Sequence, residues 1–345
     1  MSEPFIESTF CKQDINYEVP LRPQVLSDFT GQNKVKAQLG VLIQAAKKRG
    51  EHLPHILLSG PPGLGKTTLS HIIAKEIDAS IVVTSGPVIE KAGDLAGILT
   101  NLKEGDILFI DEIHRLNRVV EEYLYSAMED FQLDLVIDSG SNARSVSVKL
   151  NAFTLIGATT KSGLLSAPLR SRFPASLRLD YYQPEDLKHI VKRTASLLSF
   201  ASEDDAFLEV ARRSRGTARI ANNLLRWVRD YAEIHSKEKK ASKNTIEQAL
   251  SMLEIDEKGL DEIDMRLLRI LIDHYKGGPV GLQTLSMACG EEMQTIEEVH
   301  EPFLIMQGLL PMLSLYLAAM ISLMVIVKYM VSKVKIAILC EGPWN

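Results

Sequence analysis

Three short apolar runs stand out along the first half of the chain: His55–Ser59 (HILLS), Ile107–Ile110 (ILFI) and Phe153–Ile156 (FTLI). Each predicts a buried strand, and the stretches between them carry helical spacing, as in Thr67–Ile77. Strands alternating with helices predict a parallel α/β sheet. Phe131–Leu150 reads differently, because the alternating segments LDLVID and RSVSVKL flank Ser-Gly-Ser-Asn, the pattern of a β-hairpin. After Tyr182 the strand signal stops. Gln183-Pro184-Glu185-Asp186 starts a helix, and helical periodicity continues to about Glu254. Asp261–Tyr275 is an amphipathic helix closed by Gly277-Gly278-Pro279, followed by Leu282–Ala288 and Met293–Met306. Three such helices, with a tight turn between the last two, predict a helix-turn-helix or winged-helix module. The pattern divides the chain into an α/β domain (1–182), a small all-helical domain (183–254), a head (255–310) and an atypical apolar tail (311–345).

Composition narrows the class. A chain of 345 residues exceeds what one core usually supports, which predicts two or three domains. A net charge of −5 excludes a protein that coats nucleic acid with a basic surface, so any such contact is local. Cys11, Cys289 and Cys340 are far apart and form no CxxC pair, which argues against a zinc site or disulfide framework and fits a reducing cytosol. Met1–Gln24 has no apolar core of a signal peptide, and the expected location is cytoplasmic. The charged run His235–Asn244 reads as a solvated loop between helices.

Gly60-Pro-Pro-Gly-Leu-Gly-Lys66-Thr67-Thr68 is a complete Walker A motif between a strand and a helix. Its glycines let backbone N–H groups wrap phosphate at the positive end of the following helix. Lys66 would reach the β- and γ-phosphates and Thr67 would place its hydroxyl on Mg²⁺. Ile107–His114 (ILFIDEIH) is a Walker B pattern, in which Asp111 would hold Mg²⁺ through water and Glu112 would polarise the attacking water. His114 completes a DExH string, but the other motifs of superfamily-2 helicases are missing, which leaves it a structural or coupling role. Gly157-Ala-Thr-Thr160 reads either as a strand end or as a γ-phosphate sensor. Leu169-Arg-Ser-Arg172-Phe173 reads either as a basic helix end or as an arginine finger serving a neighbouring subunit. Gly216-Thr-Ala-Arg219 reads either as an ordinary helix start or as a second sensor.

Taken together, GPPGLGKTT, DEIH, GATT, LRSRF and GTARIANNLLRWVRD resemble one family, the bacterial RuvB Holliday-junction branch-migration ATPases. Leu21-Arg-Pro23, YLYSAMEDF (Tyr123–Phe131) and YKGGPVGL (Tyr275–Leu282) extend the resemblance over about Val19–Leu310. It implies an AAA+ P-loop domain with a parallel sheet, a small helical lid and a winged-helix head, assembled as a homohexamer that hydrolyses ATP with Mg²⁺. By motif match, Leu21 and Arg22 would lie in the adenine pocket, and Gly63, Lys66, Thr67 and Thr68 would bind phosphate. Glu129, Asp130 and Phe131 would border the nucleotide. Thr159 would be the first sensor, ahead of Thr160, and Arg172 the finger. Tyr182 would be a nucleotide contact at the hinge and Arg219 the second sensor. The implied partners are Holliday-junction and duplex DNA, RuvA, which docks on the hairpin after Phe131, and RuvC. The competing enzyme reading is another AAA+ ATPase of DNA replication, such as a clamp-loader subunit. A scaffold that binds ATP without using it is disfavoured by the intact Glu112 and Arg172.

The resemblance stops abruptly. The family continues after Gly308-Leu-Leu310 with an arginine-rich wing of the form Arg-Thr-x-Arg-Gly-Arg, whereas this chain reads PMLSLYLAAM and has no arginine after Arg269. The expected recognition helix is acidic, with Glu291, Glu292, Glu297, Glu298 and Glu301, so the wing would have to supply the cations that meet phosphate. The abruptness favours a change of frame or sequence near Leu310 over an extra element of the head. Leu309–Val327, flanked by Lys328, Lys333 and Lys335, is long enough to span a bilayer. A DNA-tracking ring gains nothing from a membrane tether, which ranks a membrane partner last.

Overall fold

The computed structural model describes residues 21–136, 145–235 and 241–310, which fall into two compact units divided after Ser242. The first unit opens with α1 (Asn33–Arg49) and then alternates β1 (Ile56–Ser59), α2 (Lys66–Glu76), β2 (Ile81–Ser85), α3 (Ala92–Leu99), β3 (Ile107–Asp111) and α4 (Arg118–Asp130). A hairpin of β4 (Gln132–Val136) and β5 (Ser145–Lys149) follows, then β6 (Thr154–Thr159), α5 (Ala167–Ser171) and β7 (Ala175–Arg178). Five strands form one sheet in the order β2-β3-β6-β1-β7, every neighbouring pair parallel. The three central strands are buried almost along their whole length, as expected of strands covered on both faces, and their sequences are correspondingly continuous in apolar residues. The edge strands differ. The sequence of β2 also holds a short apolar run, Ile81-Val82-Val83, but Val82 and Val83 are exposed, and β7 alternates buried with exposed positions, as edge strands do.

The hairpin pairs Gln132↔Lys149 through Val136↔Ser145, antiparallel, as its alternating pattern predicts. Its Ser-Gly-Ser-Asn tip lies outside the described residues. His55 knits this region to the sheet. Its Nδ1 accepts from the backbone N–H of Leu155 (2.9 Å), so its Nε2 is the protonated nitrogen and donates to the Met128 carbonyl (3.1 Å). Burial lowers its pKa, and the Met128 contact opposes that shift only in part.

The helices after Tyr182 are α6 (Pro184–Leu197), α7 (Asp204–Arg212) and α8 (Ala218–His235). Helix α6 begins with proline in its first turn and acids Glu185 and Asp186 beside the positive helix end. Part of the charged run after His235, residues 236–240, lies outside the described residues.

The second unit holds α9 (Lys243–Met252), α10 (Glu262–Asp273), α11 (Leu282–Cys289), α12 (Met293–Thr295), a π-helical turn (Ile296–His300) and α13 (Glu301–Met306). Leu267, Leu268, Ile296, Phe303 and Leu304 form its apolar core. A polar link runs through that core. Asp261 and Asp264 cap α10 reciprocally, and the His300 Nδ1–H donates to Asp264 Oδ1 at 2.7 Å, with both side chains shut off from solvent. Among the described residues no helix is long and apolar enough to cross a membrane. The apolar tail, 311–345, lies outside the described residues.

Asp264→Ala removes half of the capping box and leaves the buried His300 Nδ1 without an acceptor. The expected local destabilisation is about 2–3 kcal/mol. Amide hydrogen exchange along α10 in the full chain should accelerate roughly 30- to 100-fold; unchanged exchange would mean that the buried pair contributes nothing.

Candidate active site

The sheet order sets β1, β6 and β3 side by side, so the segments leaving their carboxyl ends share one edge, where α/β folds bind ligands. These segments are the Gly60–Lys66 loop, Thr160, and Asp111 with Glu112. They line a cavity of about 310 Å³ together with Thr67 and Thr68. Its other walls come from Leu21, Arg22 and Phe29 on the N-terminal side and from Tyr182, Ile190, Arg193, Arg219 and Asn222 on the helical side.

Lys66 opens α2 and is 7% exposed. Its Nζ donates to the carbonyls of Gly60 (2.7 Å) and Pro61 (2.9 Å). Burial brings its pKa down to about 8, an effect that Asp111 and Glu112 oppose and Arg219 reinforces. A cation so placed, at the positive end of a helix and facing a cavity, is a site for an anion. Gly63 has φ +75°, and a Cβ there would come within 3.1 Å of the Arg219 Cβ, so only glycine lets the loop and the helical wall approach this closely.

On the opposite wall Glu112 sits in the left-handed region, φ 48° and ψ 43°, which costs a non-glycine residue about 1–2 kcal/mol. A Cβ on Gly86 would lie 2.5 Å from the Glu112 carbonyl oxygen, so this backbone is held by close packing as well. Asp111 Oδ1 accepts from the Glu112 N–H at 3.0 Å. Thr67 and Asp111 bring a hydroxyl and a carboxylate to the same cavity, a hard oxygen donor set of the kind magnesium takes. The two candidate sensor threonines are placed differently. Thr159 is fully buried and its Oγ1 is bonded to His114 Nδ1 at 2.9 Å, whereas Thr160 lines the cavity and donates to Glu112 Oε2 at 3.2 Å. Neighbouring residues at a strand end face opposite ways, so only one of the two threonines can reach the cavity.

On the helical side, Tyr182 is buried and its hydroxyl donates to the Leu64 carbonyl at 3.0 Å, and burial raises its pKa. The Arg219 backbone N–H donates to the Gly63 carbonyl at 3.3 Å. Arg193 Nη1 donates to the Leu21 carbonyl at 2.7 Å, binding the N-terminal wall to α6. Sequence reasoning missed Phe29, Ile190 and Arg193, which belong to no motif and reach the cavity only through tertiary packing, and it assigned no role to Asn222, which lies within GTARIANNLLRWVRD.

Four expected residues are not brought to this cavity within the chain. Arg172 donates to the Pro168 carbonyl and to Glu129 Oε2, each at 3.0 Å, and its guanidinium lies 4.5 Å over the Tyr125 ring. Asp130 is exposed at the end of α4, and Phe131 turns inward against Phe153 with ring centroids 5.9 Å apart. Glu129, Asp130 and Phe131 therefore do not line the chain's own cavity: α4 carries Glu129 and Asp130 to the surface, where Glu129 meets Arg172, and Phe131 packs inward. The Glu129 side chain is 54% exposed, and such a pair contributes at most about 1 kcal/mol, so Arg172 is readily exchanged to a stronger anion.

Family models for the RuvB P-loop domain of the Holliday junction DNA helicase, the RuvB AAA lid domain and the RuvB C-terminal winged helix domain match residues 21–179, 182–256 and 257–311 in succession. This chain belongs to the RuvB family. The Holliday junction branch migration complex subunit RuvB of Protochlamydia amoebophila is 61% identical over 310 residues, covering 90% of this chain and 93% of the relative. Its counterpart in Chlorobaculum parvum is 56% identical over 297 residues, 86% of either chain. The solved RuvB Holliday junction branch migration motor of Thermotoga maritima is 51% identical, with a TM-score of 0.76 over 84% of this chain and 92% of that one. The RuvB winged-helix match ends at residue 311, and no arginine follows Arg269 in the sequence. Three consecutive RuvB domains favour this family over a clamp-loader subunit.

The lowered pKa of Lys66 has two consequences of defined sign. Between about 8 and 10.5 the unfolded chain holds this proton and the folded chain does not, so stability of the nucleotide-free protein rises with pH across that window. Phosphate restores the charge, so nucleotide binding takes up a proton above pH 8. Affinity for a fluorescent ADP should be flat below about 8 and then weaken towards about 10-fold per pH unit. Lys66→Arg, permanently charged, should remove the break; a wild-type profile that is flat to pH 10 would contradict the assignment.

Proposed function

We infer that this chain is the ATP-driven motor subunit of Holliday-junction branch migration, acting in DNA recombination and repair. The observation that carries this reading is the single cavity enclosed by Lys66, Glu112 and Arg219 in a chain so similar to RuvB proteins. Leu21, Arg22 and Tyr182 take the adenine end of the cavity, and Gly63, Lys66, Thr67 and Thr68 hold the phosphates. Thr67 and Asp111 hold Mg²⁺, which when bound neutralises phosphate charge. Glu112 orients the attacking water. We assign the first sensor to Thr160 and leave Thr159 behind it as a support. Arg219 reads the phosphates from the helical side, and because its backbone bonds the phosphate loop, a change at the nucleotide is passed to α8.

Arg172 works in trans. It faces away from its own cavity, and its buried Nε has no partner among the described residues. We propose that Glu129, Asp130 and Arg172 border the nucleotide of the adjacent subunit in a homohexamer. The β4–β5 hairpin is the docking element for RuvA, RuvC completes the complex, and the ring works in the cytoplasm on duplex arms of the junction. The head's helical face is acidic among the described residues, so DNA is gripped elsewhere.

Phosphate release by the purified protein at low salt, with and without four-way junction DNA, tests the reading, with Lys66→Ala as blank. Junction DNA should stimulate hydrolysis; hydrolysis that ignores it would separate this motor from the proposed substrate. Arg172→Ala should reduce kcat about 10³-fold. Mixing it with Lys66→Ala, itself inactive, should restore part of the hydrolysis, because a Lys66→Ala subunit still lends its finger to the intact site of an Arg172→Ala neighbour. A finger acting in its own subunit predicts no restoration.

A further inference from the structure

One oxygen of Glu112 is approached from two sides. Thr160 Oγ1 donates to Oε2 at 3.2 Å, and His114 Nδ1 stands 3.3 Å from the same oxygen. The same Nδ1 is 2.9 Å from Thr159 Oγ1, which also accepts the backbone N–H of Lys161 at 3.0 Å. The His114 side chain is 8% exposed and takes no part in lining the cavity. Its position follows from the backbone: Glu112 in the left-handed region turns the chain into the short helical turn Ile113–Arg115, bringing the residue two places on back beside the carboxylate.

The neighbours decide the tautomer. A lone pair on Nδ1 facing a carboxylate oxygen would be repulsive, whereas an Nδ1–H is attracted to both Glu112 and the Thr159 hydroxyl. The imidazole thus joins the end of β3 to the end of β6 at the point where the water-orienting group must be held. A carboxylate on a flexible side chain loses much of its effect when its orientation is not fixed.

We propose that His114 is the positioning residue for Glu112, tying its carboxylate to Thr159 while Thr160 holds it from the cavity side. This rests on the ATPase reading above. His114 is not among the residues that line the cavity, so removing it acts on turnover and leaves nucleotide binding intact.

The test compares His114→Leu with His114→Asn, whose side-chain amide puts an N–H where Nδ1 stands. Phosphate release and the affinity for a non-hydrolysable ATP analogue are measured on the full chain. His114→Leu should lower kcat roughly 10- to 100-fold with analogue affinity within about 2-fold of the unaltered protein. His114→Asn should recover most of the rate. Thr160→Val should lower kcat as well, and the double variant His114→Leu/Thr160→Val should lose less than the product of the two single losses, since both groups hold one carboxylate. Wild-type turnover in His114→Leu would overturn the proposal. So would equal losses in the Leu and Asn variants accompanied by weakened analogue binding, the mark of a merely structural histidine. Should the unaltered protein release no phosphate beyond Lys66→Ala, the ATPase reading itself fails, and that outcome is distinct from either of these.

Discussion

The buried ammonium of Lys66 is the constraint on which the site depends. Two carbonyls of its own loop satisfy its hydrogen bonds, but they do not neutralise a charge removed from water, and its pKa falls accordingly. Asp111 and Glu112 offset part of that cost from the neighbouring strand end. The remainder is an unfilled demand for negative charge, and it is what makes the cavity an anion site. Without the acids the lysine would be driven further towards neutrality; without the lysine two adjacent carboxylates at the end of β3 would share one wall without its charge to offset theirs. The sheet order β2-β3-β6-β1-β7 serves this arrangement, because one strand between β1 and β3 leaves a gap that phosphate and metal can occupy.

The same loop is also the joint between the sheet and the helices that follow it. Gly63 and Leu64 give their carbonyls to Arg219 and Tyr182, and Leu21 gives its own to Arg193. The Gly60–Lys66 loop is therefore bonded to Tyr182 and to the start of α8, and the N-terminal wall of the same cavity to α6. A change in phosphate charge cannot be confined to the loop, since moving the loop strains or releases these bonds. A two-sided grip of this kind is the minimum a nucleotide-driven conformational change requires, because the ligand must make different contacts in the two states.

Much of this was legible in the sequence for a physical reason. Phosphate binding needs glycines, a lysine and a hydroxyl at fixed local spacing, and a metal-binding acid needs a buried strand before it, so Lys66, Thr67, Asp111 and Glu112 announce themselves within a few residues. The choice between Thr159 and Thr160 was not legible, because it depends on the phase at which β6 leaves the sheet. Nor was the placement of Glu129–Phe131, which depends on where α4 ends: its left-handed cap at Phe131 sends one side chain into the core and leaves the two before it on the surface. The edge strand β7 escaped notice because its alternating Ala-Ser-Leu-Arg lacks a continuous apolar run; β2 did carry a signal, Ile81-Val82-Val83, that was not read as a strand. Phe29 and Arg193 could not have been found without the fold, whereas Asn222, three residues after Arg219 in the same motif, could have been.

The head presents the opposite case, a domain whose core is readable and whose chemistry is not. Its apolar positions specify α10, α11 and the helix ending at Met306, and the Asp264–His300 pair fastens the π-helical turn to the start of α10. That pair is costly unless complete, so it selects one arrangement of these helices over others. Yet the face so carefully fixed carries Glu291, Glu292, Glu297 and Glu298, charges that phosphate repels. Rigidity here cannot serve to insert this helix into a DNA groove. Cations that meet phosphate therefore have to come from outside this acidic stretch.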